Sequence, residues 1–477
     1  MRPYTVGEIA QIVGGTIVSG YPETSVTGVG IDSRKVRPGD LFCAIKGERA
    51  DGHDFITDVA REGARAALIE REVTFCGKDG GGLDACGKFS LIRVESTLGA
   101  LAALAKAYRE ELSTRVIGIT GSVGKTSTKD AVHSVLNQKY RTYKNPGNLN
   151  SHIGLPLAIL GMDPGYDYAV LEMAMRARGE IADLCRIAGP ELGVLTDISH
   201  SHIGLLGSLE QIALSKAELL ESLPQDGLAV LCGDNPRVRA VSSFAKCRVI
   251  FYGLEEENDC RAFGLQRIEG FGTGFTAEYR GSRYEFSIPL FGKHQVQNAL
   301  AAVVLGFELG LSYEEIKAGL LNISLSPMRQ EIIRQGSITI INDAYNASVK
   351  SMKAALDLLA ETGTGRKVAI LGDMLELGDF APLAHREVGD YARGKVDVLL
   401  AVGNLARFIL EGFNQGETVP GTFSSLFPDK TSAGEYLKGF VEPGDVLLVK
   451  ASRGMGFESL VELLKEIGSS LPGDDET

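Results

Sequence analysis

The amino-acid sequence predicts an α/β protein built from three units, over residues 1–112, 113–322 and 323–477. Three observations lead to that expectation. From Arg115 onward, short apolar runs (RVIGIT, YAVLEM, LGVLTD and LAVLCG) alternate with amphipathic stretches, the pattern of buried parallel strands in a doubly wound sheet. The first run leads into GSVGKTST, a glycine-rich turn followed by helical spacing of Ala131, Val132, Val135 and Leu136. After SLSPMRQ the alternation restarts with SITIIND, KVAILGD, VDVLLAVG and DVLLVKASRG, which predicts a separate Rossmann-like sheet.

Each unit can be read in order. Thr5 and Glu8 form a capping box for a short first helix. The runs DLFCAIKG, ARAALIE and SLIRV, with a helix from Thr97 to Leu112, make the first unit a small α/β domain. A helix over residues 126–137 follows the glycine-rich turn, and QVQNALAAVVLGFELG closes the central unit. The third unit has a helix from about Ser351 and a last helix before the polar, frayed end SSLPGDDET. No repeat of fixed period interrupts this order.

Composition narrows the function classes. With 477 residues, 44% hydrophobic and 23% charged, the chain is long enough for several cores and reads as a soluble globular protein. A formal charge of -12 argues against holding nucleic acid on a basic face. No stretch reaches the roughly 20 apolar residues of a membrane helix, and the start MRPYTVGEIAQIVGG lacks a leader pattern, so no membrane insertion is expected. The seven scattered cysteines, Cys76 and Cys86 among them, fit unpaired thiols in a reducing, cytoplasmic setting. A monomer is expected.

The chemistry centres on GITGSVGKTSTKD, residues 118–130. It reads as a phosphate loop, although the general pattern has a glycine where Ile119 stands. Gly121, Ser122, Val123, Gly124, Lys125, Thr126 and Ser127 would cradle phosphates through backbone N–H groups at a helix N-terminus. Lys125 would reach the β and γ phosphates and the Thr126 hydroxyl a magnesium ion; a plain glycine-rich turn is the alternative. Glu172, ending YAVLEM, is either a magnesium ligand or a strand-end carboxylate in water. His200 and His202, in ISHSHIGLLGS, suit hydrogen bonding or substrate contact better than magnesium, and loop histidines in water are equally compatible. Lys216 in EQIALSKAELLE, with Glu218 and Glu221 nearby, has the pattern of a surface lysine on an amphipathic helix.

Taken together, TGSVGKTS, the glutamate of LEM, the HIGLLGS loop and the lysine of SKAE resemble the Mur ligase family, ATP-dependent amide-forming ligases of bacterial cell-wall precursor synthesis. That family's loop, T-G-[ST]-x-G-K-T, accounts for Ile119. The resemblance extends over essentially the whole chain. GIDSRKVRPGDLFCAIKGERADGHDFI is similar to the uridine-nucleotide segment, which implies substrate contacts at Asp32, Ser33, Arg34, Asp51, Gly52 and His53. INDAYNASVKSM and LGDMLELG, with His385 beyond, resemble the branch that joins D-alanyl-D-alanine to UDP-N-acetylmuramoyl-tripeptide.

The resemblance implies ATP and magnesium, with Lys125, Lys216, His202 and Arg329 as catalytic residues. It implies Thr126, Glu172, His202 and Lys216 around the metal, the lysine carrying a carbamate. It further implies Asn298 at adenine, Arg329 at the ATP phosphates, Asp343 at the ribose, and Tyr345 and Asn346 facing the dipeptide and the metal-phosphate centre. Ala174, Cys232, Gln295, Val349 and Ala451 depart from the branch's usual letters without removing a phosphate or metal contact. A related ligase for another amino acid, such as a folylpolyglutamate synthetase, and a nucleotide-driven conformational switch are the competing expectations.

Overall fold

The computed structural model describes residues 1–47, 50–73, 89–201, 203–415 and 421–471. Among them no helix is long and apolar enough to cross a membrane. Cys76, Cys86 and the last six residues of the polar C-terminal stretch lie outside the described residues.

The capping box forms: the Thr5 hydroxyl accepts from the Glu8 amide at 3.1 Å and the Glu8 carboxylate from the Thr5 amide at 2.7 Å, opening helix Val6–Val13. The first sheet has five strands, in the order Thr16–Ser19, Ser90–Arg93, Ala66–Ile69, Asp40–Cys43, Gly28–Gly30. Only its first pair is antiparallel. Helix Thr97–Glu110, capped by Ser96, ties this sheet to the central unit. Its Tyr108 hydroxyl donates to the Met162 carbonyl at 2.6 Å, and the buried Arg109 guanidinium donates to the carbonyls of Ala188, Leu112 and Thr114. Three carbonyls satisfy a cation that burial would otherwise penalise.

The central sheet has nine strands, ordered Ser282–Ile288, Gly272–Tyr279, Cys260–Ile268, Arg248–Gly253, Leu228–Cys232, Leu192–Leu195, Arg115–Thr120, Tyr168–Glu172, Thr142–Lys144. From Cys260–Ile268 to Thr142–Lys144 every pairing is parallel. Its middle strands are covered on both faces: Val116, Leu171 and Leu195 enter one core cluster, Ile117, Ile119, Val170 and Val194 another. The last three strands in chain order form an antiparallel meander, and this meander is absent from the sequence-based reading. Gly272–Tyr279 alternates buried and half-buried residues, so GTGFTAEY has no continuous apolar run to signal it.

The third sheet runs Glu331–Gln335, Ile338–Asn342, Val446–Lys450, Lys367–Gly372, Val398–Val402, Phe423–Phe427, with only the first pair antiparallel. Its first helix is Val349–Glu361, two residues earlier than expected, because Ser348 caps it and pairs with Ser351. The helix expected to reach Leu112 ends at Glu110, and the helix expected over residues 126–137 is Lys125–Leu136.

Candidate active site

The phosphate loop joins strand Arg115–Thr120 to helix Lys125–Leu136. Two glycines have room for nothing else. Gly121 has φ 151° and a Cβ there would lie 2.0 Å from the Thr196 hydroxyl; Gly124 has φ 90° and its Cβ would lie 2.6 Å from Asn298 Oδ1. Lys125 Nζ folds over the loop and donates to the carbonyls of Gly121 at 2.8 Å and Ser122 at 3.3 Å. Burial lowers its pKa and Glu172 opposes the shift. The Ser122 hydroxyl pairs with the Ser199 backbone, and the Thr196 hydroxyl donates to the Val123 carbonyl at 2.6 Å. The Val123 carbonyl is thereby held inside the loop, and Ser127 is buried in the first helical turn.

Thr126 Oγ1 donates to Glu172 Oε2 at 2.7 Å. Parallel strand pairing brings these residues together, since Glu172 lies opposite Ile119 in the register. The carboxylate is 3% exposed and does not face open solvent. Asn150 Nδ2 donates to its Oε1 at 2.8 Å, Lys129 Nζ lies 3.7 Å from its Oε2, and Asn145 brackets its backbone. Asn145, Asn150 and Lys129 were not singled out from the sequence. The available signal was KNPGNLNSH, an asparagine-rich loop leaving strand Thr142–Lys144 at the carboxyl edge where open α/β sheets bind ligands.

Lys216 is not a surface lysine. It sits in helix Leu209–Ser222 with 2% exposure, and burial, then the charge of Lys125, push its pKa well below the ordinary lysine value. Among the described residues no carboxylate lies within ion-pair distance of it. Glu218 is also buried, and its carboxylate accepts the amides of Gly179 and Ala182, capping helix Glu180–Ala188 from another segment. A tertiary cap of this kind leaves no mark in the helical pattern. His202 lies outside the described residues. His200 stacks on Phe380 with ring centroids 4.3 Å apart, and burial lowers its pKa.

Residues from the third unit reach this edge. Arg329 Nη2 donates to Thr126 Oγ1 at 2.8 Å, and its guanidinium lies 4.2 Å from the Tyr345 ring centroid. Lys450 is buried and ion-paired with Asp343, and also donates to the Asn346 carbonyl at 2.9 Å. A hydrogen-bond chain runs from Asn298 through Gln295 to Gln330, whose amide donates to Asp343 at 3.2 Å. Asn298, Arg329, Asp343, Tyr345 and Asn346 are thus joined around the phosphate loop. Lys350 pairs with Asp197, a residue held by Asn235 and Ser199 beside the loop. The sequence-based reading assigned no role to Asp197 or Lys350.

In the first unit, Asp32 caps the turn Ser33–Lys35 and binds the Arg34 guanidinium, which lowers the acid to about 2. Asp51 caps the turn Gly52–Phe55, and His53 Nδ1 lies 2.6 Å from Asp51 Oδ1. The Glu70 amide donates to His53 Nε2, so Nδ1 carries the proton toward Asp51 and both ring nitrogens are engaged internally. Gly52 leaves no room for a Cβ, which would lie 2.8 Å from the Ile45 nitrogen. His53 orders this turn rather than presenting a free ring nitrogen. His385 does likewise in the third unit, accepting the Met374 amide on Nε2 and bonding the Ala381 carbonyl through Nδ1.

The chain matches three family profiles in succession: Mur ligase family, catalytic domain, over residues 25–109; Mur ligase middle domain over 119–306; and Mur ligase, glutamate ligase domain, over 328–453. It is 41% identical to the UDP-N-acetylmuramoyl-tripeptide–D-alanyl-D-alanine ligase of Bacillus subtilis, over 97% of this chain and 98% of that protein. Among solved structures it resembles MurF from Acinetobacter baumannii, with TM-score 0.86 and 29% identity over 98% of this chain and 99% of the other. It also resembles MurF ligase from Thermotoga maritima in complex with ADP, with TM-score 0.79 and 30% identity over 93% and 98%. Full-length identity of this size, together with three profiles in the same order as the three sheets, shows that the chain belongs to the Mur ligase family.

Proposed function

We propose that this protein is the ATP-dependent ligase that joins D-alanyl-D-alanine to UDP-N-acetylmuramoyl-tripeptide in the cytoplasm, releasing ADP and phosphate. The observation that carries the reading is the meeting of Lys125, Thr126, Glu172 and Arg329 at one sheet edge, in a chain 41% identical to a relative named for that reaction. ATP would sit with its phosphates on the loop, its base toward Asn298 and its ribose toward Asp343.

The donor set fits magnesium. Thr126 and Glu172 offer adjacent hard oxygens, and a carbamate on Lys216 would add another; the family resemblance implies His202 as a further ligand. The ion would neutralise charge on the phosphates as phosphoryl transfer proceeds. Lys216 fits the modification: a buried amine with a lowered pKa is neutral enough to attack carbon dioxide through nitrogen, losing a proton as the N–C bond forms.

The tripeptide carboxylate attacks the γ-phosphorus and ADP leaves, giving an acyl phosphate. Lys125 and Arg329 offset the charge gathering on the transferring group. The dipeptide amine then attacks the acyl carbon, its proton is lost, and phosphate departs. An acyl phosphate hydrolyses readily, so the third unit must keep water out. Its seat on the central unit supports that role: Lys350 holds Asp197, His200 stacks on Phe380, and the Gly204 amide donates to the Glu376 carbonyl at 3.1 Å. The test is incubation with ATP, magnesium, UDP-N-acetylmuramoyl-tripeptide and D-alanyl-D-alanine, read by mass. The pentapeptide nucleotide is the expected product; phosphate released at the same rate with and without dipeptide, and no pentapeptide, would refute the reading.

A further inference from the structure

The placement of Arg329 depends on residues outside the proposed chemistry. Helix Lys125–Leu136 begins in the phosphate loop and carries Thr126 in its first turn. One turn further on, Asp130 is 1% exposed. Its Oδ1 accepts from Lys144 Nζ at 2.7 Å, and its Oδ2 accepts both the amide and the hydroxyl of Ser326, each at 2.8 Å. Three residues beyond Ser326, Arg329 turns back to Thr126 on the same helix. The circuit closes on itself: Thr126, Asp130, Ser326, Arg329 and Thr126 again.

Beyond Ser326 the linker is held by the third unit instead. The Met328 carbonyl accepts the Tyr345 amide at 3.2 Å, and the Gln330 amide donates to Asp343 at 3.2 Å. Strand Glu331–Gln335 begins directly afterwards. Met328 has φ 62° and Gln330 φ 49°, both in the left-handed region that non-glycine residues adopt only under constraint from their surroundings. Between these two strained residues, Arg329 Nε is buried without a hydrogen-bond partner. Strain on both sides of a cation with an unused donor is the pattern expected of a position held for a ligand.

We propose that Asp130 and Ser326 are positioning residues: they pin the linker to the phosphate helix, so that Arg329 reaches the phosphates only when the third unit is seated. The proposal rests on the reading of Arg329 as a phosphate contact. Asp130 thereby links the helix that binds phosphate to the segment that completes the site. The Ser326 hydroxyl contributes one of two bonds to Asp130, and its loss lets the linker drift without unpairing Lys144.

The test is Ser326→Ala beside Ser326→Thr, whose hydroxyl can remake the bond. Ser326→Ala should slow amine-stimulated ATP cleavage by about 10- to 100-fold, the effect of displacing a positioning group by an ångström or so. ADP affinity should stay within about twofold, the melting temperature should hold, and Ser326→Thr should recover most of the rate. A wild-type rate in Ser326→Ala, an equal loss of ADP affinity, or no recovery in Ser326→Thr would each overturn the proposal. The assay uses whichever amine stimulates the unmodified protein, so a wrong dipeptide would refute the function proposed above while Ser326→Ala still decides this point.

Discussion

Replacing Gly204 by alanine tests whether seating the third unit matters to turnover. A Cβ at Gly204 would lie 2.6 Å from the Gly378 nitrogen, 2.9 Å from the Glu376 oxygen and 3.0 Å from the Leu377 carbonyl carbon. All three are backbone atoms of the other unit, so no flexible side-chain end can swing aside. Restoring ordinary separations of about 3.5 Å requires the segments to part by about 0.5–1 Å. Overpacking of that kind costs about 1–3 kcal/mol, which lowers the seated-to-unseated ratio about 5- to 150-fold. The penalty falls on docking, because within helix Ile203–Leu206 alanine is a better helix former than glycine. Turnover in the ligation assay should therefore drop while ADP binding and the melting temperature hold, and small-angle scattering in the presence of nucleotide should report a more extended particle. Wild-type turnover with an unchanged scattering profile would refute the reasoning.

The same geometry sets further expected outcomes. Lys125→Ala should abolish pentapeptide formation, measured by mass, because no other described cation folds over the loop carbonyls. Glu172→Gln should raise the magnesium concentration for half-maximal activity about 10- to 100-fold, and an unchanged magnesium titration would remove Glu172 from the ligand set. Depleting carbon dioxide should lower activity and bicarbonate should restore it, whereas Lys216→Arg should be inactive and indifferent to bicarbonate; a rate that ignores bicarbonate in the unmodified protein counts against the carbamate. His385 is fully buried and its pKa lies below the ordinary 6.5, with burial the main cause. The native state then binds fewer protons than the unfolded chain, so stability is full above pH 6.5 and is lost by up to about 1.4 kcal/mol per pH unit as pH falls below it. Chemical-unfolding midpoints between pH 7.5 and about 5 should fall more steeply for the unmodified protein than for His385→Gln, and equal slopes would exclude the assignment.

What could be read from the sequence was what is local. RVIGIT, YAVLEM and LGVLTD announce themselves because helices cover both faces of their sheet, leaving an uninterrupted apolar run. The meander over Cys260–Ile268, Gly272–Tyr279 and Ser282–Ile288 does not, since its strands alternate polar with apolar residues. The glycines of the phosphate loop were legible through their spacing, and the structure adds the reason: Thr196 and Asn298 occupy the space a side chain would need. Lys216 was misread by pattern because helix Leu209–Ser222 buries polar residues as well as apolar ones, Ser215, Lys216 and Glu218 together.

The least legible contacts are those that join units. Thr126 and Arg329 stand 203 residues apart in the chain, Asp130 and Ser326 196, and Asp197 and Lys350 153. Nothing in the local pattern around Asp130 distinguishes it from an ordinary helical aspartate, and Lys350 reads as a solvated first-turn lysine. Yet on the proposed function these pairs decide which groups face the phosphates at the same moment. Cradling the phosphates of ATP would need only the loop and its helix, which one strand, turn and helix supply. Forming an amide bond needs the second substrate and a dry site as well, and on the proposed function those depend on where the third unit sits. Substitutions at Asp130, Ser326, Gly204 and Lys350 should accordingly separate nucleotide binding from turnover, whereas substitutions at Lys125 and Thr126 should impair both.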